Sequence, residues 1–200
     1  VDGSIENLKL ELLNSNVIEK TNLSFLIREK VYLIYNLSSL YQSVKIKSNQ
    51  IKIIDDRDSY NFEGDISNLK SKIDLSKFPA LLNKNMKDIV KEGLVISSNN
   101  KFSFKLNKKI KFSDIIIQSK ISLEELQYSN DLFKRFFPGY KKDVKFINNS
   151  ITIEYNNGDY QINGKSIINI NGDIDNTNYS LKKIKKDFFY KLNLELINSA

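Results

Sequence analysis

Few side chains in this chain could do chemistry, and the missing ones exclude more than the present ones suggest. Histidine, cysteine and tryptophan are all absent, and Met86 is the single methionine. That removes the thiolate nucleophile, the Cys/His zinc site, the disulfide, the imidazole base and the Ser-His-Asp triad. What remains is carboxylate, lysine, tyrosine and hydroxyl chemistry, or a metal held by oxygen alone. The densest acidic cluster, Asp55-Asp56-Arg57-Asp58, could hold a divalent cation. It stands between two strand-like stretches and reads as a solvated hairpin loop. Asp173-x-Asp175-x-Thr177 has the alternation of a calcium loop, but Asn178 stands where that loop needs glycine and Ile184 where it needs glutamate. A polysaccharide-cleaving enzyme would need two carboxylates about 5–10 Å apart in a cleft, and no acidic pair stands out from turn residues. The expectation is a protein without catalytic residues, metal or cofactor.

Lysine is the other charged feature, within a net charge of +7. Lys182-Lys183-Ile184-Lys185-Lys186, Lys108-Lys109 and Lys141-Lys142 could meet phosphate on nucleic acid or on lipid headgroups. The first cluster falls where a turn should precede the stretch from Phe188 to Ile197. Phe133, Phe136, Phe137 and Tyr140 surround a basic pair and could stack on bases or cap the open end of a sheet. Basic residues alternate with acids along the chain, which argues against one nucleic-acid-binding face. Its richness in Lys, Asn and Ile matches the bias of an AT-rich genome.

Alternation of period two dominates the elements that must carry these residues. Leu8, Leu10 and Leu12 alternate with Lys9 and Glu11; Phe102, Phe104 and Leu106 with Ser103 and Lys105; Ile151, Ile153 and Tyr155 with Thr152 and Glu154. Val44 and Ile46 continue, after a short break, as Ile51 and Ile53. Such stretches read as antiparallel strands with one apolar and one wet face. Asn157-Gly158 and Asn171-Gly172 are hairpin turns, since Asn-Gly supplies the positive φ of a type I′ turn. Asn148-Asn149 reads as a further turn, and Asn163-Gly164 as a bulge or kink in one long strand. Helical signals are short. Ser122-Leu123-Glu124-Glu125 fits a capping box, Asp131 to Phe137 ends at Pro138-Gly139, and Ser76 to Met86 carries Leu81-Leu82.

The chain also repeats itself. Leu8 to Ser15 returns as Leu192 to Ser199, and Gly3-Ser4-Ile5-Glu6-Asn7, Gly64-Asp65-Ile66-Ser67-Asn68 and Gly172-Asp173-Ile174-Asp175-Asn176 share a glycine, an apolar residue and Asn. Each reads as a glycine turn opening a strand, in one continuous β-rich segment over residues 1–200. No stretch approaches the roughly 20 apolar residues that span a bilayer. Because the repeats run to both ends, the chain is expected to be a segment of a longer protein.

These glycine–Ile–Asn units and terminal Leu-x-Leu-x-Leu strands, together with the alternation from Phe112 to Ala200, resemble the AsmA-like superfamily, the TamB- and YhdP-type envelope proteins of Gram-negative bacteria. Ile121-Ser122-Leu123-Glu124-Glu125-Leu126 also looks like a strand-to-turn junction of that family. The resemblance implies a mainly β fold: a long curved antiparallel sheet, forming an open taco-like groove or a β-sandwich-like roll, with one or two short helices. It further implies a periplasmic, inner-membrane-anchored, non-enzymatic carrier of phospholipid or another acyl lipid toward the outer membrane. Its anchor would lie outside this segment, and an outer-membrane partner protein is possible. The groove would be lined by Leu8, Leu10, Leu12, Phe102, Phe104, Leu106, Ile151, Ile153, Tyr155, Leu192, Leu194 and Leu196. A structural or adhesive β-repeat module of a cell-surface protein is the competing expectation, with the same residues forming a closed core.

Overall fold

The computed structural model describes residues 1–12, 16–73, 94–129, 143–170, 172–195 and 197. Within them the chain is all β. The strands are β1 (Asp2–Leu12), β2 (Asn16–Arg28), β3 (Val31–Tyr41), β4 (Val44–Asp56), β5 (Ser59–Ile73), β6 (Leu94–Asn107), β7 (Phe112–Ser129), β8 (Asp143–Asn156), β9 (Asp159–Ile170), β10 (Asp173–Ile184) and β11 (Asp187–Glu195). They form one sheet in strict chain order, with β1 and β11 at its edges. The pairings from β1 to β5 and between β10 and β11 are antiparallel. Strand lengths run from 9 to 18 residues, well beyond the usual 5–6. The mainly β, antiparallel expectation therefore holds.

Two compact units gather the contacts. Unit 1 comprises Val1–Leu69, Ser98–Lys120 and Ile153–Tyr160; unit 2 comprises Lys70–Ser97, Ile121–Thr152 and Gln161–Ala200.

In unit 1 the strand pairings place the apolar residues on one face. Gly3 lies opposite Phe25, Phe25 opposite Ile34, Ile34 opposite Ile51 and Ile51 opposite Gly64. The next row runs Ile27, Tyr32, Ile53, Phe62. One-residue bulges interrupt these long strands, and each shifts by one which residues face either side. The register slips between Ile5 and Leu8 in β1, between Glu19 and Asn22 in β2, and again beside Asn36 in β3. Asn7, Lys20 and Asn36 sit at these slips with φ of 53°, 50° and 54°. The spacing of residues on this face changes from two to three there: Ile5 to Leu8, Ile18 to Thr21, Ile34 to Leu37. The extra residue thus keeps the apolar side chains on the same face instead of turning them into water.

In unit 2 Val144, Ile168 and Ile170 are buried together, with Phe146 packed against them. Asn148 repeats the bulge device in β8, with φ 53°. The expected turn at Asn148-Asn149 is therefore corrected. Two central residues in a hairpin would reverse the chain, whereas one left-handed residue only re-phases it. Buried Asn149 instead donates its amide to the carbonyls of Leu123 (3.2 Å) and Phe146 (3.0 Å).

Further corrections follow. Ser122–Glu125 lies inside β7, so it is neither a helix cap nor a strand-to-turn junction. Its alternation, with Leu123 buried between exposed Ser122 and Glu124, outweighs the capping pattern. Gly64 lies within β5, and Gly3 is the second residue of β1; neither is a turn glycine. Gly172, with φ 107°, is a turn residue, and Asn157 and Gly158 take φ of 48° and 97° as a type I′ turn requires. The helical segments expected at Ser76–Met86 and Asp131–Phe137, and the aromatic group of Phe133, Phe136, Phe137 and Tyr140, lie outside the described residues, as do Lys141 and Lys142.

Candidate functional site: an apolar sheet face

Chemically reactive clusters are not what the strands assemble. Among the described residues no group of three or more acidic side chains could hold a metal. Asp55 to Asp58 form the β4–β5 turn; Asp56 accepts a hydrogen bond from the Arg57 amide at 2.8 Å, and Asp55 pairs with Lys108 at 3.7 Å. Asp175 is buried and accepts the Ile197 amide at 2.8 Å, a structural cap for the end of β11.

Aromatic side chains concentrate on the apolar face of unit 1. Phe104 in β6 stacks on Phe62 with centroids 4.7 Å apart, lies 5.8 Å from Phe102, and meets Phe112 edge-on at 5.4 Å. These rings continue the row of Ile27, Tyr32 and Ile53. On the other face, Lys52 pairs with Glu63 at 3.7 Å and Lys105 with Asp114 at 2.7 Å. The Asp114 hydrogen bond, with its charge, holds the Lys105 ammonium pKa above its ordinary value. One face is thus oily and the other saline.

The apolar face is partly open. Among the described residues the buried hydrophobics are only Val44, Leu123, Val144, Ile168 and Ile170. Of the residues expected to line a groove, Leu8, Phe102, Phe104, Leu106, Ile151, Ile153 and Tyr155 are half-buried. Leu10 is 41% exposed and Leu192 64% exposed. Leu12 and Leu194 lie in the edge strands β1 and β11, and Leu196 lies outside the described residues. Leu8, Leu10, Phe102 and Phe104 belong to unit 1 and Leu192 to unit 2, so the expected set is divided between the two units.

Small polar residues share the apolar face of unit 1, where Thr21, Ser39 and Ser48 are buried; in unit 2 Ser166 and Thr177 are buried. The Oγ atoms of Ser48 and Ser166 and the Oγ1 of Thr21 are buried with no hydrogen-bond partner. Their signal was visible as Ser or Thr in phase with the apolar positions, as in Val44-x-Ile46-x-Ser48.

Gly164 in β9 permits a close contact between strands. A Cβ there would fall inside the Tyr179 ring of β10. Burial beneath that crossing pushes the Tyr179 phenol pKa above its ordinary value. As expected, Asn163-Gly164 lies inside one long strand, β9, and Gly164 marks a site of close approach there.

No helix among the described residues is long and apolar enough to cross a membrane. Neither protein-family models nor curated proteins nor solved structures yield a match to the chain.

Proposed function

We propose that this chain is a non-enzymatic conduit for acyl lipids, in which the apolar sheet face shields hydrocarbon chains while headgroups stay in water. The observation that carries the reading is the half-open aromatic and aliphatic face of unit 1. A strand face evolved as a closed core would bury residues such as Phe62, Phe104 and Ile53, yet each remains partly accessible. Each methylene moved from water onto such a face gains about 0.8 kcal/mol, so an acyl chain prefers the face strongly. Because successive rungs are chemically alike, the chain can slide between them without a deep trap. The family resemblance adds the setting: phospholipid cargo, a periplasmic position, an anchor in the inner membrane outside this segment, and delivery toward the outer membrane.

Native mass spectrometry of the protein purified from a Gram-negative host, followed by lipid extraction, tests the reading. Co-purified phospholipid that is lost in Phe104→Asp, while circular dichroism remains β-rich, supports it. A lipid-free protein that unfolds when Phe104 becomes Asp indicates a closed core and moves the assignment to a structural or adhesive β-repeat module.

A further inference from the structure

The β10–β11 hairpin carries a concentration of exposed aromatic rings and lysines that the apolar face of unit 1 does not explain. Phe188 is 49% exposed, Phe189 55% and Tyr190 76%. Exposed rings of this size are normally covered or used. Across residues 182–191 five lysines face one aspartate, a net charge of +4. Lys185, with φ 55°, turns the chain at the tip, so the basic turn and the rings are brought together.

The pairing fixes how they point. Phe188 lies opposite Lys183 and Tyr190 opposite Leu181, whereas Phe189 lies opposite Lys182. Phe188 and Tyr190 therefore project from one face, with rings 10° from parallel and centroids 6.4 Å apart, and Phe189 projects from the other. A platform for single-stranded bases gathers its rings on one face, where successive bases can stack. Rings on both faces suit immersion in a medium that is apolar on every side of the hairpin tip. Aromatic side chains favour the headgroup level of a bilayer, and lysines close to it gain from anionic lipid.

We propose that the β10–β11 hairpin docks on the surface of an anionic lipid bilayer, inserting Phe188, Phe189 and Tyr190 at headgroup depth with the lysines against lipid phosphate. The assignment stands apart from the conduit reading, since its residues lie outside the unit 1 face.

The chain lacks tryptophan, so Tyr190→Trp installs a lone reporter. Its emission is read with vesicles of phosphatidylcholine alone, and with phosphatidylglycerol added. A blue shift with the mixed vesicles, and quenching by lipids brominated in the acyl chain, are expected. Read by co-sedimentation with the vesicles, Lys185→Glu/Lys186→Glu should lower partitioning onto the mixed vesicles about tenfold or more, and Phe188→Ser/Tyr190→Ser, without the reporter, should do so with the lysines intact. All these residues are exposed, so circular dichroism should match the parent. Sedimentation with vesicles without a blue shift, equal partitioning onto both vesicle types, or quenching by a single-stranded oligonucleotide in place of vesicles each overturns the proposal. Co-purified lipid retained by the Phe188→Ser/Tyr190→Ser protein separates the two readings. Lipid kept while the parent fails to bind vesicles sinks the docking surface alone, and vesicle binding by a parent free of lipid sinks the conduit alone.

Discussion

At the scale of single residues, the sharpest constraint is the crossing of Tyr179 over Gly164. Gly164→Ala forces the ring or the backbone to shift, and overpacking of this kind costs about 1–3 kcal/mol. Chemical denaturation should show that loss, and the loss should be smaller when Gly164→Ala is made in a Tyr179→Ala background, where the space is clear. The same ring gives a pH dependence. Its folded pKa is raised by burial, so the unfolded chain releases the phenolic proton first. Stability should be unaffected by this group below pH about 10 and fall as pH rises above that value, because the unfolded state then binds fewer protons. In Tyr179→Phe the alkaline decline should be shallower, as read by thermal melts across the alkaline range.

Among the elements, the recurring device is the left-handed residue inside a long strand. Asparagine tolerates that conformation because its short amide can bond locally. At the Asn7 bulge the freed backbone N–H of Asn7 donates across to the side-chain oxygen of Asn22 in β2 at 2.9 Å. Asn36→Val should destabilise by about 1–2 kcal/mol, whereas Asn36→Gly should be nearly neutral; equilibrium unfolding distinguishes them.

Much of the sheet was legible because apolar alternation and Asn-Gly turns are local signals. Asn157-Gly158 and the Asp55–Asp58 turn were read correctly for that reason. Asn148-Asn149 was not, since a turn and a bulge recruit the same residue types. The difference lies in spacing: Phe146 and Asn149 are three apart, too close for two strand ends but right for one inserted residue. Gly3 and Gly64 misled for a related reason. Glycine marks positive φ in one place and close approach in another, and only the neighbour decides. A Cβ at Gly64 would sit 2.8 Å from the Gln50 carbonyl oxygen. The small hydroxyl residues on the apolar face escaped notice because periodicity arguments score them as polar.

At the scale of the whole molecule, the scarcity of buried hydrophobics among the described residues has a measurable outcome. A folded protein with an accessible oily face should bind a dye such as ANS without denaturant, a behaviour otherwise typical of partly unfolded states. Added phospholipid should displace the dye and raise the melting temperature, as ligands of the native state do. Absence of dye binding by the native protein would contradict the open face.

Strict chain-order pairing carries a different consequence, for how such a protein changes length. Among the described residues every strand pairs with the strands before and after it in the chain. Removing or duplicating two consecutive strands therefore leaves alternating direction intact and requires no crossover. Each hairpin gained or lost alters the sheet by about 10 Å of width. Gene duplication can thus tailor the reach of this architecture in hairpin steps, without redesigning the strands already present.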